Sequence, residues 1–269
     1  MTDSHTARPP LDAAALRAGL APPWRELEVV AETGSTNADL LARAGAGADI
    51  DGVVLLAEHQ TAGRGRHGRH WSAPPRSQLS LSVGVGAEGV PTSAWGWLPL
   101  ATGVAVADAL ADLDGLRAGL KWPNDVLVGD PPGKLAGILA EVAAPAPVIV
   151  VGLGLNVTMT AAEAPDPAAT SLALLGAATD RTALAAAVLS ALGARIQAWR
   201  RAGGADPALV ADYRRHSVTL GRRVRAILPG DRTLEGTATG IDDLGRLEVD
   251  TGGQSVAVSA GDITHLRGI

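Results

Sequence analysis

The chain has 269 residues, of which 46% are hydrophobic and 19% charged, with a formal net charge of −5. That balance predicts a packed globular core and argues against both disorder and a general nucleic-acid binder, which would be basic. The chain has no Cys, which rules out disulfides and thiol chemistry; with no Phe and one Tyr, aliphatic side chains and six Trp must fill the core.

In chain order, residues 1–10 read as a loose polar tail without the apolar stretch of a secretory signal, and LDAAALRAGL as a short helix. ELEVVAE (26–32) is a strand. In TGSTNADLLARAGAG, Ser35 and Thr36 precede a helical run, and Thr36 with Asp39 has capping-box spacing. GVVLLAEHQ (52–60) is a buried strand, and SQLSLSVGV (77–85) alternates strictly, with Leu79, Leu81, Val83 and Val85 on one face. The connection between those two strands runs to roughly sixteen residues, far longer than a hairpin loop. PTSAWGWLPLATGVAVADALADL (91–113) opens on Pro and reads as a long buried helix. LKWPNDVLV, GDPPG and KLAGILAEV read as strand, turn and strand; PVIVVGLGLN is a third strand and TMTAAEAPDPAATSL a loop. RTALAAAVLSALGARIQAWRR (181–201) is a strong helix, and DPALVADYRRH continues the helical character. From about Leu220 the short runs RRVRAIL, TLEGTATGI, GRLEVD, QSVAVSA and DITHL, separated by PGD, DDLG and TGG turns, predict a small β-barrel or sandwich, with a boundary near residue 217. The longest apolar stretches, LPLATGVAVADAL and PVIVVGLGLNV, are short for a bilayer, so a cytoplasmic protein with no membrane partner is expected.

The long connection contains GRGRHGRHW (63–71). Glycines 63, 65 and 68 permit a close backbone approach, and the guanidinium groups of Arg64, Arg66 and Arg69 match phosphate or carboxylate oxygens. Trp71 offers a flat face for a base or another ring. The pattern suits a loop folding over an anionic, nucleotide-bearing ligand; the plainer alternative is a solvated basic loop. An RGG-type nucleic-acid segment is disfavoured because the block is single and sits between strands in an acidic chain. His67 and His70 have metal-pair spacing, but three neighbouring arginines would repel a cation. GDPPGKL is not a P-loop: three residues rather than four separate its glycines, and Leu135 replaces Ser/Thr. GLGLNV is not a dinucleotide fingerprint, since Val157 takes the third glycine position.

Among 23 basic residues only Lys121 and Lys134 are lysines, and Asn37, Asn124 and Asn156 are the only asparagines. In an Ala-, Gly- and Arg-rich chain these survivors are candidates for places where Arg or Asp will not substitute. Lys134 has the strand parity of Ala136 and Ile138, which would point it inward toward an anion partner. Gly137 would let a flat ligand approach the strand. The plainer readings are strand-end solvation for the lysines and a turn for Pro123-Asn124-Asp125.

The segments GSTN, EHQTAGRGRHGRHW, LKWPNDVLV, KLAGILAE and GLGLN, in that order over residues 32–157, together resemble the biotin–protein ligases. The resemblance implies an α+β fold. Its catalytic domain (11–217) would be a mixed β-sheet with helices on one side, related to class II aminoacyl-tRNA synthetases and lipoate ligases. An SH3-like β-barrel (218–269) would follow. About thirty residues precede GSTN, too few for the winged helix of the repressor-type members, so a ligase without operator binding is expected.

The resemblance further implies two half-reactions, formation of biotinyl-5′-AMP from biotin and ATP, then transfer to a carrier-domain lysine of acyl-CoA carboxylases. Mg²⁺ would arrive with ATP, and its protein ligands are unknown. The biotin and biotinyl-AMP residues would be Ser35, Thr36, Asn37, Gln60, Gly63, Arg64, Gly65, Arg66, Lys134 and Gly137, although Ser35 and Thr36 could equally be plain helix caps. Arg69, Trp71, Lys121, Asn124 and Asn156 would serve the nucleotide. Lys134, Arg66 and Asp125 would be catalytic, with Asp125 taking a proton from the incoming lysine. The alternatives are a lipoate or octanoate ligase, which GRGRHGRHW with KWPND speaks against, and a non-catalytic anion- or nucleic-acid-binding module, which salt-dependent DNA binding without ATP turnover would reveal.

Overall fold

The computed structural model describes residues 8–144, 147–228, 232–259 and 262–266. Among the described residues five α-helices, α1 (Ala13–Ala18), α2 (Thr36–Gly45), α3 (Trp97–Asp114), α4 (Arg181–Ala202) and α5 (Pro207–His216), accompany twelve strands. The strands β1 (Glu26–Val30), β2 (Val53–Ala57), β3 (Gln78–Gly86), β4 (Gly119–Lys121), β5 (Asp125–Val128), β6 (Gly133–Ala143) and β7 (Val148–Asn156) form one sheet in the order β1-β2-β3-β7-β6-β5-β4. Only β1 and β2 run parallel. The strands β8 (Arg223–Leu228), β9 (Arg232–Ile241), β10 (Leu247–Asp250), β11 (Ser255–Val258) and β12 (Asp262–His265) form a separate antiparallel sheet, ordered β11-β10-β9-β8-β12. The architecture is the expected α+β, a mixed sheet followed by a small β domain.

Both faces of the large sheet are covered. Leu79, Leu81, Val83 and Val85 of β3 and Leu153 and Leu155 of β7 face a core built with α3, α4 and α5. Leu55 of β2 and Val150 of β7 face Leu40 and Ala44 of α2 on the opposite side. The expected one-sided arrangement of helices is therefore corrected: α2 lies across the sheet from the rest. The alternation in β3 is real, yet Gln78, Ser80 and Ser82 are as buried as the leucines, because the α2 face is covered too.

Several local expectations are also corrected. The cap of α2 is Ser35, whose side chain accepts from Ala38 N; Thr36 is the first helical residue and forms no capping box. Asp39 instead accepts from Thr33 Oγ1 at 2.5 Å. LKWPNDVLV is two strands, β4 and β5, paired across a turn at Trp122-Pro123-Asn124. Residues 91–113 begin with a short 3₁₀ turn, and α3 starts only at Trp97. That turn with α3, and α4 separately, is long and apolar enough to cross a bilayer by length and composition. In the fold the two helices pack on each other and on the sheet, and every residue from Trp97 to Leu110 except Pro99 and Asp108 is buried. Asp108 pairs with Arg195 of α4 at 2.7 Å, and Arg195 also takes Asp212 of α5 at 2.5 Å.

Residues 1–7 of the expected tail lie outside the described residues. The rest is fastened: Arg8 pairs with Glu163 at 2.6 Å and donates to Thr158 O, and Arg181 donates to Pro9 O. Arg181 is itself buried against Glu58, at 2.7 Å.

Candidate functional site

On the α2 face, the half of the sheet that α2 leaves open is rich in glycine and polar residues and also holds Leu139. Gly152 and Gly154 of β7 stand opposite Leu139 and Gly137 of β6. Beyond them Gly137 stands opposite Asp125 of β5. A cavity of about 380 Å³ lies there, within the range of small-molecule sites.

Lys134 reaches this cavity by a route that simple alternation misses. The register of β5 against β6 shifts: Val126 opposes Ala136, but Leu127 opposes Lys134. Leu135 is the extra residue of a β-bulge, which returns Lys134 to the face of Asp125 and Gly137 rather than that of Ala136 and Ile138. The inward orientation inferred from parity is thus corrected. The Lys134 ammonium lies 2.7 Å from Asp125 Oδ1 and 5.5 Å from the centre of the Trp71 ring.

The stretch GRGRHGRHW is a tight hairpin. Arg64 bridges His70, Gly65 N donates to Arg69 O at 2.7 Å, and Trp71 N donates to Gly63 O at 2.8 Å. Its tip, Arg66–Gly68, is a 3₁₀ turn, with His67 and Gly68 in the left-handed region at φ 55 and 71. Gly63 stands apart from the other expected biotin residues of the hairpin. It is buried beneath the hairpin, where a Cβ would collide with the Trp71 carbonyl oxygen, and it does not line the cavity.

Each arginine of the hairpin has a different partner. Arg64 pairs with Glu141 of β6 at 3.2 Å, and Arg69 pairs with Asp262 of β12, from the small domain. His67 lies 3.8 Å from the same Asp262. Arg66 makes no ion pair among the described residues; it donates to Asn124 Oδ1 at 3.4 Å. Burial lowers its pKa, Asp125 opposes that effect and Arg69 adds to it. A half-buried guanidinium in this position gains from an arriving anion.

Trp71 lies over the glycine floor. Its Nε1 donates to Gln78 Oε1 at 2.5 Å, and its ring fills the space that a Cβ on Gly137 or Gly154 would need. The flat group expected above Gly137 is therefore the protein's own indole, accompanied by the stem of Lys134.

At the start of α2, Thr36 N donates to Gln60 Oε1 at 2.9 Å, while Gln60 Nε2 makes no hydrogen bond to described residues. Ser35, Thr36 and Gln60 all line the cavity. Asn37 lines it too, but its amide is spent on protein: Nδ2 donates to Leu139 O and Glu141 Oε2, and Oδ1 accepts from Ser82 Oγ. Asn124 ties its turn to β6, donating to Ile138 O at 3.0 Å. Asn156 does not reach the cavity. It is buried at the end of β7 and donates to Thr170 O at 3.0 Å. Lys121 lines the cavity and stands close enough to His265 of β12 to help burial lower that imidazole's pKa.

The cavity brings together Ser35, Thr36, Asn37, Gln60, Arg64, Gly65, Arg66, Arg69, Trp71, Lys121, Asn124, Asp125, Lys134 and Gly137, leaving out Gly63 and Asn156. Its walls also include residues that the sequence did not single out: Ser82, Gly152, Gly154, Trp122, and Ile227, Asp262, Ile263 and Thr264 of the small domain. For the last four no local signal existed, because a strand motif says nothing about what a separate domain faces. Five cations, Arg64, Arg66, Arg69, Lys121 and Lys134, stand around the cavity against Asp125 and Asp262. Such a site is built to stabilise an anion.

Known proteins share both the sequence and the fold. The model of the biotin/lipoate A/B protein ligase family matches residues 36–156, and that of the biotin protein ligase C terminal domain matches residues 219–266. The biotin--[acetyl-CoA-carboxylase] ligase of Mycobacterium tuberculosis is 59% identical over 99% of this chain and 100% of its own length. The bifunctional ligase/repressor BirA of Escherichia coli is 34% identical over 81% of this chain and 67% of its own. A biotin protein ligase from Aquifex aeolicus, solved in complex with biotin and ATP, shares the fold with a TM-score of 0.76. It is 24% identical, and the match covers 91% of this chain and all of that one. With a relative of this similarity aligned from end to end, the chain belongs to the biotin protein ligases.

Proposed function

We propose that the cavity joins biotin to ATP as biotinyl-5′-AMP and then passes the biotinyl group to a carrier lysine. In the first step a biotin carboxylate oxygen attacks the α-phosphorus of ATP, and the bond to the leaving pyrophosphate breaks. In the second, the ε-amine of a lysine on a biotin carboxyl carrier domain of an acyl-CoA carboxylase attacks the acyl carbon. AMP leaves with the bonding pair, and the amine gives up a proton. The Mycobacterium tuberculosis relative, named as a biotin--[acetyl-CoA-carboxylase] ligase, supports this reading. The observation that carries it is the charge arrangement: Arg64 and Arg69 are neutralised by carboxylates, whereas Arg66 has no such partner among the described residues and lines the same cavity as Lys134.

In this proposal Lys134 is the point charge for the biotin carboxylate and then the α-phosphate. Asp125 holds Lys134 in place at 2.7 Å and lines the cavity where the attacking amine would lose its proton. Arg66, carried by the hairpin, shields the acyl-phosphate from water. Ser35, Thr36 and the Nε2 of Gln60, which has no hydrogen-bond partner among the described residues, meet the ureido ring of biotin, a group that both donates and accepts. Trp71, Arg69, Lys121 and Asn124 border the nucleotide, while Asn37, Asn156 and Gly63 act as supports. Mg²⁺ enters as part of the nucleotide substrate. Residues 11–217 form the catalytic unit and 218–269 the accessory domain, and the reaction belongs to the cytoplasm.

Incubating the protein with ATP, Mg²⁺, biotin and a carrier domain should give a streptavidin-reactive carrier band that requires both ATP and biotin. Lys134→Ala should abolish the band and cut biotin-dependent pyrophosphate exchange by about a hundredfold or more while the protein stays folded. A wild-type protein that neither labels the carrier nor exchanges pyrophosphate would overturn the proposal.

A further inference from the structure

Glu141 lies on β6, just outside the cavity lining, and its two carboxylate oxygens serve different parts of the site. Oε2 accepts from Asn37 Nδ2 at 2.9 Å, and Oε1 lies 3.2 Å from Arg64 Nη2. Asn37 is buried, and its Oδ1 accepts from Ser82 Oγ at 2.6 Å. Ser82 Oγ is 2.7 Å from Thr36 Oγ1, which is also 3.1 Å from Gln60 Oε1, so the single Thr36 proton serves one of the two. Gly152 makes room for this row, since a Cβ there would occupy the place of the Asn37 amide oxygen.

We propose that Glu141 is a positioning residue that couples the hairpin to the floor of the ligand pocket. Through Asn37 it fixes Ser82, Thr36 and Gln60, and through Arg64 it holds the hairpin over the cavity. The inference rests on the ligase reading above. A carboxylate suits both tasks because each oxygen accepts from a different donor. Glutamine keeps one accepting oxygen for Asn37 but turns an NH₂ group toward the donors of Arg64, so Glu141→Gln separates the tasks and Glu141→Ala removes both.

The test measures two quantities, the KM for biotin in pyrophosphate exchange and the rate at which preformed biotinyl-AMP escapes and labels a bystander protein without a carrier domain. E141Q should leave the KM within about twofold and speed escape about three- to fivefold, the range of a half-exposed ion pair. E141A should also raise the KM, by about tenfold, because it leaves the buried Asn37 amide a partner short. The double variant E141Q/R64Q should lose adenylate no faster than R64Q alone. Wild-type values for both quantities in E141Q and E141A, or escape effects that simply multiply in the double variant, would overturn the coupling. If E141A does not fold, the near-isosteric E141Q and the double variant decide the question. A wild-type protein without any exchange instead removes the ligase reading itself.

Discussion

Each of the three asparagines donates a side-chain N–H to a main-chain carbonyl, Asn37 to Leu139, Asn124 to Ile138 and Asn156 to Thr170. Aspartate has the same shape without that donor, which is a physical reason for asparagine to persist in a chain that otherwise avoids it. Composition pointed to these positions, but it could not separate a ligand contact from a brace: all three brace the main chain, and Asn37 and Asn124 also line the cavity. The glycines of the floor follow the same logic in reverse. A Cβ at Gly154 would fall on the Trp71 indole, and the β7 backbone, paired on both sides, has no freedom to retreat. Gly154→Ala should therefore displace Trp71, cost about 1–3 kcal/mol of stability as overpacking does, and lower pyrophosphate exchange by about tenfold. Thermal melts and exchange assays on one preparation check both. Glu141 and Asp262 were illegible in the sequence because a carboxylate on a strand has no signature until its partner is known.

At the scale of elements, periodicity located nearly every strand and helix and failed where one residue was inserted. The bulge at Leu135 reversed the face of Lys134, and a period of two carries no information about such an insertion. The loop after β7 shows a second local device. Thr160 and Glu163 form a capping box, and Arg8 closes over it from the N-terminal segment. The hydrogen bond from Arg8 is the main reason that the Glu163 carboxyl is pulled from 4.5 down to about 2. A carboxyl lowered in the folded state adds stability above its unfolded pKa and loses it as pH falls through the folded one. Glu163 thus stabilises the fold above about pH 4.5, and this contribution fades toward pH 2. Arg8→Ala should return the Glu163 titration toward 4.5 and flatten stability between those limits, as followed by NMR titration and by denaturant melts at each pH.

For the whole molecule, the small domain is a wall of the site. It is docked by indole N–H groups, Trp97 Nε1 to Asp243 O and Trp122 Nε1 to Gly245 O, both at 3.0 Å, and by Thr219 Oγ1 accepting from Trp122 N. From this docked position β12 presents Asp262 to the hairpin. Asp262→Ala should release Arg69, open the hairpin and let biotinyl-AMP escape about three- to fivefold faster with little change in Tm, since the pair is half-exposed. Bystander labelling beside a thermal melt checks this, and unchanged escape would show that the hairpin needs no hold from the small domain.

The tryptophans of the seam also have an optical consequence. With no Phe and a single Tyr, the near-ultraviolet emission of the chain comes almost wholly from six indoles. Trp97 and Trp122 report on the contact between the two sheets, and Trp71 reports on the hairpin above the glycine floor. The protein therefore carries its own fluorescent probes at two joints of the site, the seam of the small domain and the base of the hairpin.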